Sequence, residues 1–183
     1  MDQEIFLKKK NYKNFIFYKK TLCLYDITFF FAKKYLKRGD RTVDQMIQAA
    51  RSGKQNIVEG TEAAMTSSET EIKLINVARA SLIELLADYE DYARVHHLFI
   101  WDSSHPRYAN LLRYCYNHND PAHYSRFLTN MNEEEICNMA LTLIHQTDAA
   151  LSKYLKILQD RFSKTGGVRE RMTQARLNAK KKK

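Results

Sequence analysis

The spacing of apolar residues along the chain predicts four long amphipathic helices. Apolar side chains recur every three or four residues over four segments, at about residues 19–37, 43–64, 69–96 and 133–162. This period places them on one face of an α-helix. The polar positions between them are mostly Lys, Glu, Gln and Arg, which favour helix over sheet. The pattern therefore predicts an all-α fold, an up-down-up-down four-helix bundle.

Two apolar stripes run along the first predicted helix. One stripe comprises Leu22, Tyr25, Phe29, Ala32 and Leu36. A second stripe comprises Leu24, Ile27 and Phe31. Basic residues crowd the end of this helix, where positive charge suits the helix dipole, and Gly39 is placed to end the helix as its C′ residue.

Capping signals mark the starts of the next two helices. Thr42 with Gln45, and Ser68 with Glu71, each match a capping box. One face of the second helix is built from small residues, with two glycines that cost roughly 1 kcal/mol each relative to alanine. These small positions are Ala50, Gly53 and Gly60. Close approach of another backbone is the expected compensation.

The apolar arc of the third helix is wider than one bundle seam requires. Its main stripe comprises Ile75, Ala78, Leu82, Leu85, Tyr89 and Tyr92. A second set at one side comprises Ile72, Ile83 and Leu86. Together with the small-residue face of the second helix, this arc predicts that bundles pack side by side in a homo-oligomer.

The last third of the chain predicts an insertion, a final core helix and a basic tail. Short helices are expected between about residues 104 and 129, one of them starting at Asp120 and Pro121. Asn132 and Glu135 match a cap for the fourth core helix, which Gly166 should end. The chain thus divides into an N-terminal arm (1–18), a bundle (19–163) and a basic C-terminal tail (164–183).

Composition and charge favour one domain with an anionic partner. The 183 residues suffice for one domain with a core. The net charge of +9 is uneven, since residues 1–20 carry +4, residues 164–183 carry +7 and the remainder carries −2. The absence of an 18-residue apolar run, of a signal-peptide pattern and of paired cysteines predicts a reduced, cytoplasmic protein without a membrane span.

Basic residues near both ends of the chain are candidate nucleic-acid contacts, because cations neutralise phosphates and neighbouring rings stack on bases. The candidates are Lys8, Lys9, Lys10, Lys33, Lys34, Lys37, Arg38, Arg41, Arg51, Lys54, Arg169, Arg171, Arg176, Lys180, Lys181, Lys182 and Lys183. For the lysines that end the first helix, ordinary helix-end placement is the alternative. For the aromatic residues of the arm, packing against the bundle is the alternative.

A second candidate set is polar and lies inside the bundle pattern. Asn56 with Glu59, and Ser81 with Glu84, are each three residues apart and so share a helix face. In antiparallel helices they could form a hydrogen-bonded layer that fixes register. No Glu-x-x-His pattern accompanies the two carboxylates, which argues against a metal site.

The search for catalytic or metal-binding chemistry gives only weak candidates. Cys115, His118, His123 and Cys137 lack the paired spacing of a zinc site, so we expect neither metal nor cofactor. Arg113 and His118 match the Arg-x4–6-His motif of HEPN ribonucleases. Their spacing places them about 140° apart on a regular helix. We therefore expect no catalytic residues, with a HEPN-like ribonuclease as the alternative.

The chain resembles a known family over a set of short motifs in its second and third helices. These motifs are Asn56 through Gly60, Ser68 with Glu69, and Ala80 to Leu85. The chain is similar to the four-helix bundle family that includes 23S ribosomal RNA intervening-sequence proteins, and most similar to the longer subgroup with a C-terminal suffix. Accessory proteins of diversity-generating retroelements are related to this family. The resemblance covers about residues 11–178, although Lys54 stands where many shorter members carry Pro.

The resemblance implies a closed homo-oligomer, with a pentameric ring favoured. It also implies a nucleic-acid partner, RNA rather than DNA, as structured RNA or as part of a reverse-transcriptase complex. The sequence thus predicts a non-enzymatic scaffold that binds nucleic acid through basic termini. A protein–protein assembly module without a nucleic-acid role is a further alternative.

Overall fold

The computed structural model describes residues 11–181, and every regular element in that range is helical. The α-helices are α1 (Ile16–Tyr35), α2 (Arg41–Ala63), α3 (Ser68–Val95), α4 (Tyr108–Asn117), α5 (Pro121–Ser125), α6 (Glu133–Thr165) and α7 (Val168–Lys181). Single 3-10 turns occupy Tyr12–Asn14 and Leu128–Asn130. The predicted all-α class is confirmed, and no helix in this range is both long and apolar enough to cross a bilayer.

The four long helices each pack against two others. Helix α1 contacts α2 and α6, and α3 contacts the same two helices from the opposite side. Contacts between α1 and α6 run in opposite order along the two helices. The ring of Phe15 lies 5.2 Å from that of Tyr154, whereas at the other end the Tyr35 hydroxyl donates to the carbonyl of Met131 over 3.1 Å. The short helices α4 and α5 cover α6 and α1 respectively.

Two of the predicted helix caps are wrong, and in each case an earlier residue caps the helix. Asp40 accepts a hydrogen bond from the backbone N–H of Thr42 over 2.9 Å, so Thr42 lies inside α2. Ser67 accepts from the N–H of Thr70, which places Ser68 inside α3. In both places a residue with an accepting side chain precedes the predicted cap, and it satisfies the first free N–H groups. The box of Asn132 is confirmed.

The end of α1 also differs from its prediction. The helix ends at Tyr35, and Gly39, with φ of +88°, lies further along in the turn to α2 and is not the C′ residue. Glycine suits this position because it adopts positive φ without steric cost. The helix buries Leu24, Ile27 and Phe31 completely, but Phe29 is 46% exposed. The stripe that contains Phe29 therefore lies partly on the surface.

The small-residue face of α2 packs against α3 of the same chain. A Cβ on Gly53 would stand 2.9 Å from the Leu82 side chain, and one on Gly60 would stand 3.2 Å from the Cβ of Leu74. The glycines thus permit the close helix approach that the sequence predicted. Because α3 already covers this face, it is not free to contact another copy of the chain.

A buried ion pair joins α3 to α6. The Glu71 side chain is fully buried, and it accepts from the Tyr154 hydroxyl over 2.6 Å and from Nη2 of Arg161 over 2.9 Å. Burial, together with the hydrogen bond to Glu71, raises the pKa of Tyr154. Tyr154 therefore stays a donor to this carboxylate well into the alkaline range.

A buried lysine attaches the insertion to the bundle. Lys20 of α1 is 3% exposed, and its ammonium donates to the carbonyl of Cys115 over 2.5 Å and to Oε1 of Gln146 over 2.8 Å. The Gln146 amide in turn donates to the carbonyl of Leu112. The carbonyls of the last helical turn have no partner within α4. Lys20 and Gln146 supply partners to carbonyls near that end, although burial lowers the pKa of Lys20.

The three cysteines are buried free thiols, and we expect their ionisation to lower the stability of the fold in alkali. Burial raises the pKa of Cys23, Cys115 and Cys137 from 9.0 to about 12. In the unfolded chain these thiols ionise near their ordinary pKa, whereas the folded chain holds them protonated. Their contribution to the free energy of unfolding is thus complete below about pH 9 and falls as the pH rises towards about 12.

Urea unfolding at about pH 8 and about pH 10.5 measures this effect. We expect a variant with all three cysteines replaced by alanine to lose less stability between the two pH values than the natural chain. Lys20 acts in the opposite direction, because its lowered pKa makes folding more favourable as the pH rises towards 10.5. Without the Cys23 and Cys115 charges, which raise the pKa of Lys20, that pKa falls further, so the change at Lys20 also makes the variant lose less stability. An identical decline in both chains would contradict the assignment.

The C-terminal tail is helical where the structure describes it. Gly166, with φ of +63°, ends α6 as predicted, and α7 then runs from Val168 to Lys181, longer than the predicted 168–177 segment. Val168 is buried. A cavity of about 280 Å³ is lined jointly by the start of α7 and by the α2–α3 turn, including Thr66 and Ser68. Helix α7 therefore starts beside that turn.

Candidate nucleic-acid interface

The α1–α2 turn gathers several of the predicted basic residues. Lys33, Arg38 and Arg41 line a cavity of about 520 Å³, together with the acidic residues Asp40 and Asp44. Arg41 is the first residue of α2, where the helix dipole disfavours positive charge. Helix stability therefore does not explain why a cation stands at this position.

Aromatic rings lie beside two of the cations on the outer surface of α1 and α2. The Lys54 ammonium lies 4.3 Å from the ring centroid of Tyr25, and that of Lys33 lies 5.8 Å from the centroid of Phe29. The two rings are 6.4 Å apart. Tyr25 and Phe29 sit one turn apart on α1, as do Phe29 and Lys33, so the three side chains form a continuous row. We call these four side chains the α1–α2 aromatic–basic row.

Lys34 does not belong to this surface, although it is adjacent to Lys33 in sequence. Its ammonium lies 3.4 Å from the Met131 carbonyl and 4.9 Å from the Tyr35 ring, on the side of α1 that faces the insertion. Lys37 is exposed just beyond α1, and Arg51 is exposed one turn before Lys54 on α2. The structure thus divides the predicted basic patch between two sides of α1.

The basic residues of the tail form a second region. Arg169, Arg176 and Lys180 are exposed on α7, whereas Arg171 is half-buried, and its Nε and Nη2 atoms have no hydrogen-bond partner among the described residues. Predicted contacts at Lys8, Lys9, Lys10, Lys182 and Lys183 lie outside the described residues, as does the side chain of Lys181.

The two basic regions lie at opposite ends of the second helix. The cavity of Lys33, Arg38 and Arg41 adjoins the start of α2, whereas α7 begins beside the turn that follows its end. Helix α2 has 23 residues and is therefore roughly 35 Å long. The start of α7 is separated from the cavity of Lys33, Arg38 and Arg41 by about that distance, whereas Lys54 lies nine residues, roughly 14 Å, before the end of α2.

The predicted polar layer forms around a residue that the sequence reasoning missed. The hydroxyls of Ser52 and Ser81 lie 2.9 Å apart, and the Asn56 amide donates to the carbonyl and the hydroxyl of Ser52. Glu59 and Glu84 are instead exposed on the outer faces of their helices. The i−4 spacing of Ser52 from Asn56 was the signal that could have identified it.

The carboxylate of Glu59 takes a 3.3 Å hydrogen bond from the Gln55 amide, one turn away on the same helix. Glu84 lies near Asp88, whose pKa is raised mainly by burial and further by the Glu84 charge. The structure therefore does not bring these two carboxylates into the layer, because their positions on α2 and α3 face solvent.

The candidate ribonuclease residues have separate local partners. His118 follows the end of α4, where its ring stacks on Tyr114 at 4.0 Å and its Nδ1 lies 2.9 Å from the Tyr114 carbonyl. Arg113 is exposed, and its guanidinium donates to the Asn110 side chain over 3.4 Å. Within residues 11–181, no cluster of three His, Cys, Asp or Glu side chains could hold a metal ion.

Helix α3 leaves apolar side chains on the surface on both sides of its buried stripe. Val77 and Ile83 are exposed, at 38% and 45%, whereas Ile72 and Leu86 are partly buried against the core. Ile72, Ile83 and Leu86 are the side set of the wide arc on which the side-by-side packing was predicted, whereas Val77 lies on the other side of the stripe. Comparison with protein-family models, curated proteins and solved structures gave no match.

Proposed function

We propose that the protein is a non-enzymatic, homo-oligomeric scaffold that binds RNA through its basic surfaces. The observation that carries this proposal is the gathering of Lys33, Arg38 and Arg41 at the α1–α2 turn, beside the exposed aromatic row. Exposed cations gathered in this way can neutralise phosphates, Arg41 gains nothing from the dipole of its own helix, and rings beside the cations can accept bases. RNA is favoured over DNA by the family resemblance, which also suggests a reverse-transcriptase complex as a setting.

The proposed architecture is an up-down-up-down four-helix bundle with the insertion before its last core helix. The opposite order of the α1–α6 contacts supports this arrangement, as does the pairing of Gly53 with Leu82 and of Gly60 with Leu74 between α2 and α3. The exposed Val77 and Ile83 support the assembly of several bundles, for which a pentameric ring is the leading proposal. Assembly would multiply the basic surfaces and raise avidity.

RNA binding and assembly are tested together with the full chain. We expect light scattering to give the mass of a multimer, and a labelled RNA to bind with an affinity that falls steeply as salt is raised. A variant with Arg169, Arg176 and Lys180 replaced by glutamine should bind several-fold more weakly, with a salt slope reduced by about 2. The RNA should remain uncleaved throughout.

A variant with three exposed lysines neutralised elsewhere, Lys73, Lys153 and Lys156, has the same net charge and serves as the control. Equal weakening in both variants would mean that net charge alone matters and that α7 has no specific part. The proposal would be refuted if the chain were monomeric or if it did not bind RNA at low salt. Cleavage that disappears with His118→Ala would favour the ribonuclease alternative.

A further inference from the structure

Phe29 is exposed although its spacing matches a core stripe. Its side chain is 46% exposed on the outer face of α1, next to the half-buried ring of Tyr25. Single exposed apolar residues are common on protein surfaces. Here, however, two rings stand one helical turn apart with their centroids 6.4 Å apart, so they present a continuous aromatic surface. Phe29 offers the more exposed ring, and because the Lys54 ammonium lies over the Tyr25 ring at 4.3 Å, a base that stacks on Tyr25 must share or displace that contact.

The charges around these rings favour a polyanion over a second copy of the chain. Lys33 and Lys54 lie next to the two rings, and Arg51 lies one turn before Lys54 on α2. The acidic neighbour Asp26 offsets one of these charges. Two identical copies that met at this surface would bring their cations together, which costs free energy. RNA instead supplies negative phosphates for the lysines and planar bases for the rings.

We infer that Tyr25 and Phe29 form a stacking platform for unpaired bases of RNA, while Lys33 and Lys54 hold the adjoining phosphates. This inference rests on the proposed function and specifies the form of RNA that the α1–α2 aromatic–basic row selects. Bases in a duplex are stacked on one another and paired, so their faces are not available. The platform therefore selects single-stranded segments, loops or ends, with little preference for sequence because every base has a π-face.

The experiment compares single-stranded and duplex RNA of equal length by fluorescence anisotropy, with the full chain. Phe29→Ala should weaken single-strand binding by about tenfold, within the range for loss of one stacked base, and leave duplex binding unchanged. The salt slope should be unaltered, because no cation is removed. Phe29→Trp should retain single-strand affinity, since tryptophan also offers a flat ring.

Phe99→Ala provides the matched control. Phe99 is 52% exposed, similar to Phe29, but it lies in the α3–α4 connection and bonds through its backbone to Glu134 of α6. We expect this variant to bind both RNA forms as the natural chain does. Phe29→Leu is a second test of the platform, because it keeps an apolar side chain in place and should lose affinity nearly as Phe29→Ala does. Circular dichroism checks that each variant is folded.

Three outcomes would overturn the inference. If Phe29→Ala and Phe29→Leu bind single-stranded RNA normally, the rings take no part, although charge-driven RNA binding stands. If Phe29→Ala lowers the mass measured by light scattering, the surface is an interface between copies and the assignment to RNA is wrong. If the natural chain binds neither RNA form, the proposed function fails and the platform fails with it.

Discussion

Neutralising the basic end of the bundle is expected to weaken RNA binding by roughly 100-fold at about 0.1 M salt. The variant replaces Lys33, Arg38, Arg41 and Lys54 with glutamine. Each phosphate contact to a single strand contributes about 0.7 to the slope of log affinity against log salt, because it releases a condensed counterion. Loss of four contacts should therefore lower the slope by up to about 3. Fluorescence anisotropy over a salt series measures both quantities.

The comparison needs a variant with equal charge loss at another place. Glutamine at Lys73, Lys153, Lys156 and Lys164 removes four exposed cations from α3 and α6. We expect this chain to lose much less affinity, because a long-range charge effect is screened beyond about 10 Å at this salt. Equal losses in both variants would show that RNA does not dock at the α1–α2 end. The substitutions lie at exposed or half-exposed positions, and folding should change little.

Loss of the buried carboxylate between α3 and α6 should cost about 2 to 3 kcal/mol of unfolding free energy, since Glu71 is fully buried but its partner Arg161 is partly exposed. Glu71→Ala leaves Arg161 without its anionic partner and removes an acceptor of the Tyr154 hydroxyl. Removing one partner of such a pair is costly because the remaining charge loses its counter-charge while staying largely desolvated, although here the Arg161 side chain is 26% exposed. Urea unfolding followed by circular dichroism measures the loss. The double variant Glu71→Leu, Arg161→Met should recover part of it, since it removes both charges.

Glu69→Ala is the control for this prediction, because Glu69 is exposed two residues earlier on the same helix. Because Glu69 lies in the first turn of α3, where a carboxylate favours the helix dipole, its loss should cost no more than about 1 kcal/mol. A loss below about 1 kcal/mol for Glu71→Ala would contradict the importance of the pair. So would a double variant that is less stable than Glu71→Ala alone.

The sequence predicted those parts of the fold that depend on local signals. The capping box of Asn132, the helix start at Pro121 and the helix end at Gly166 each involve residues within one turn of each other, so their spacing suffices. The same reasoning went wrong at Thr42 and Ser68. Two capping side chains compete there within two residues, and spacing alone does not decide between them.

The candidate site was less predictable because it depends on which helix faces pack together. Periodicity places Phe29 in an apolar stripe, but it does not tell whether a neighbouring helix covers that stripe. Lys33 and Lys34 are adjacent in sequence yet end on different sides of α1, since successive residues differ by about 100°. The role of Ser52 required knowing that Ser81 lies opposite it.

The separation of the two basic regions has a consequence for how long an RNA must be. The cavity of Lys33, Arg38 and Arg41 at the α1–α2 turn and the start of α7 stand roughly 35 Å apart, the length of α2. A short oligonucleotide reaches one of them, whereas a longer strand engages both, and its second attachment is then intramolecular. The binding affinity should therefore rise in a step once the RNA strand is long enough to span this gap. The protein would then discriminate between RNA ligands by their length.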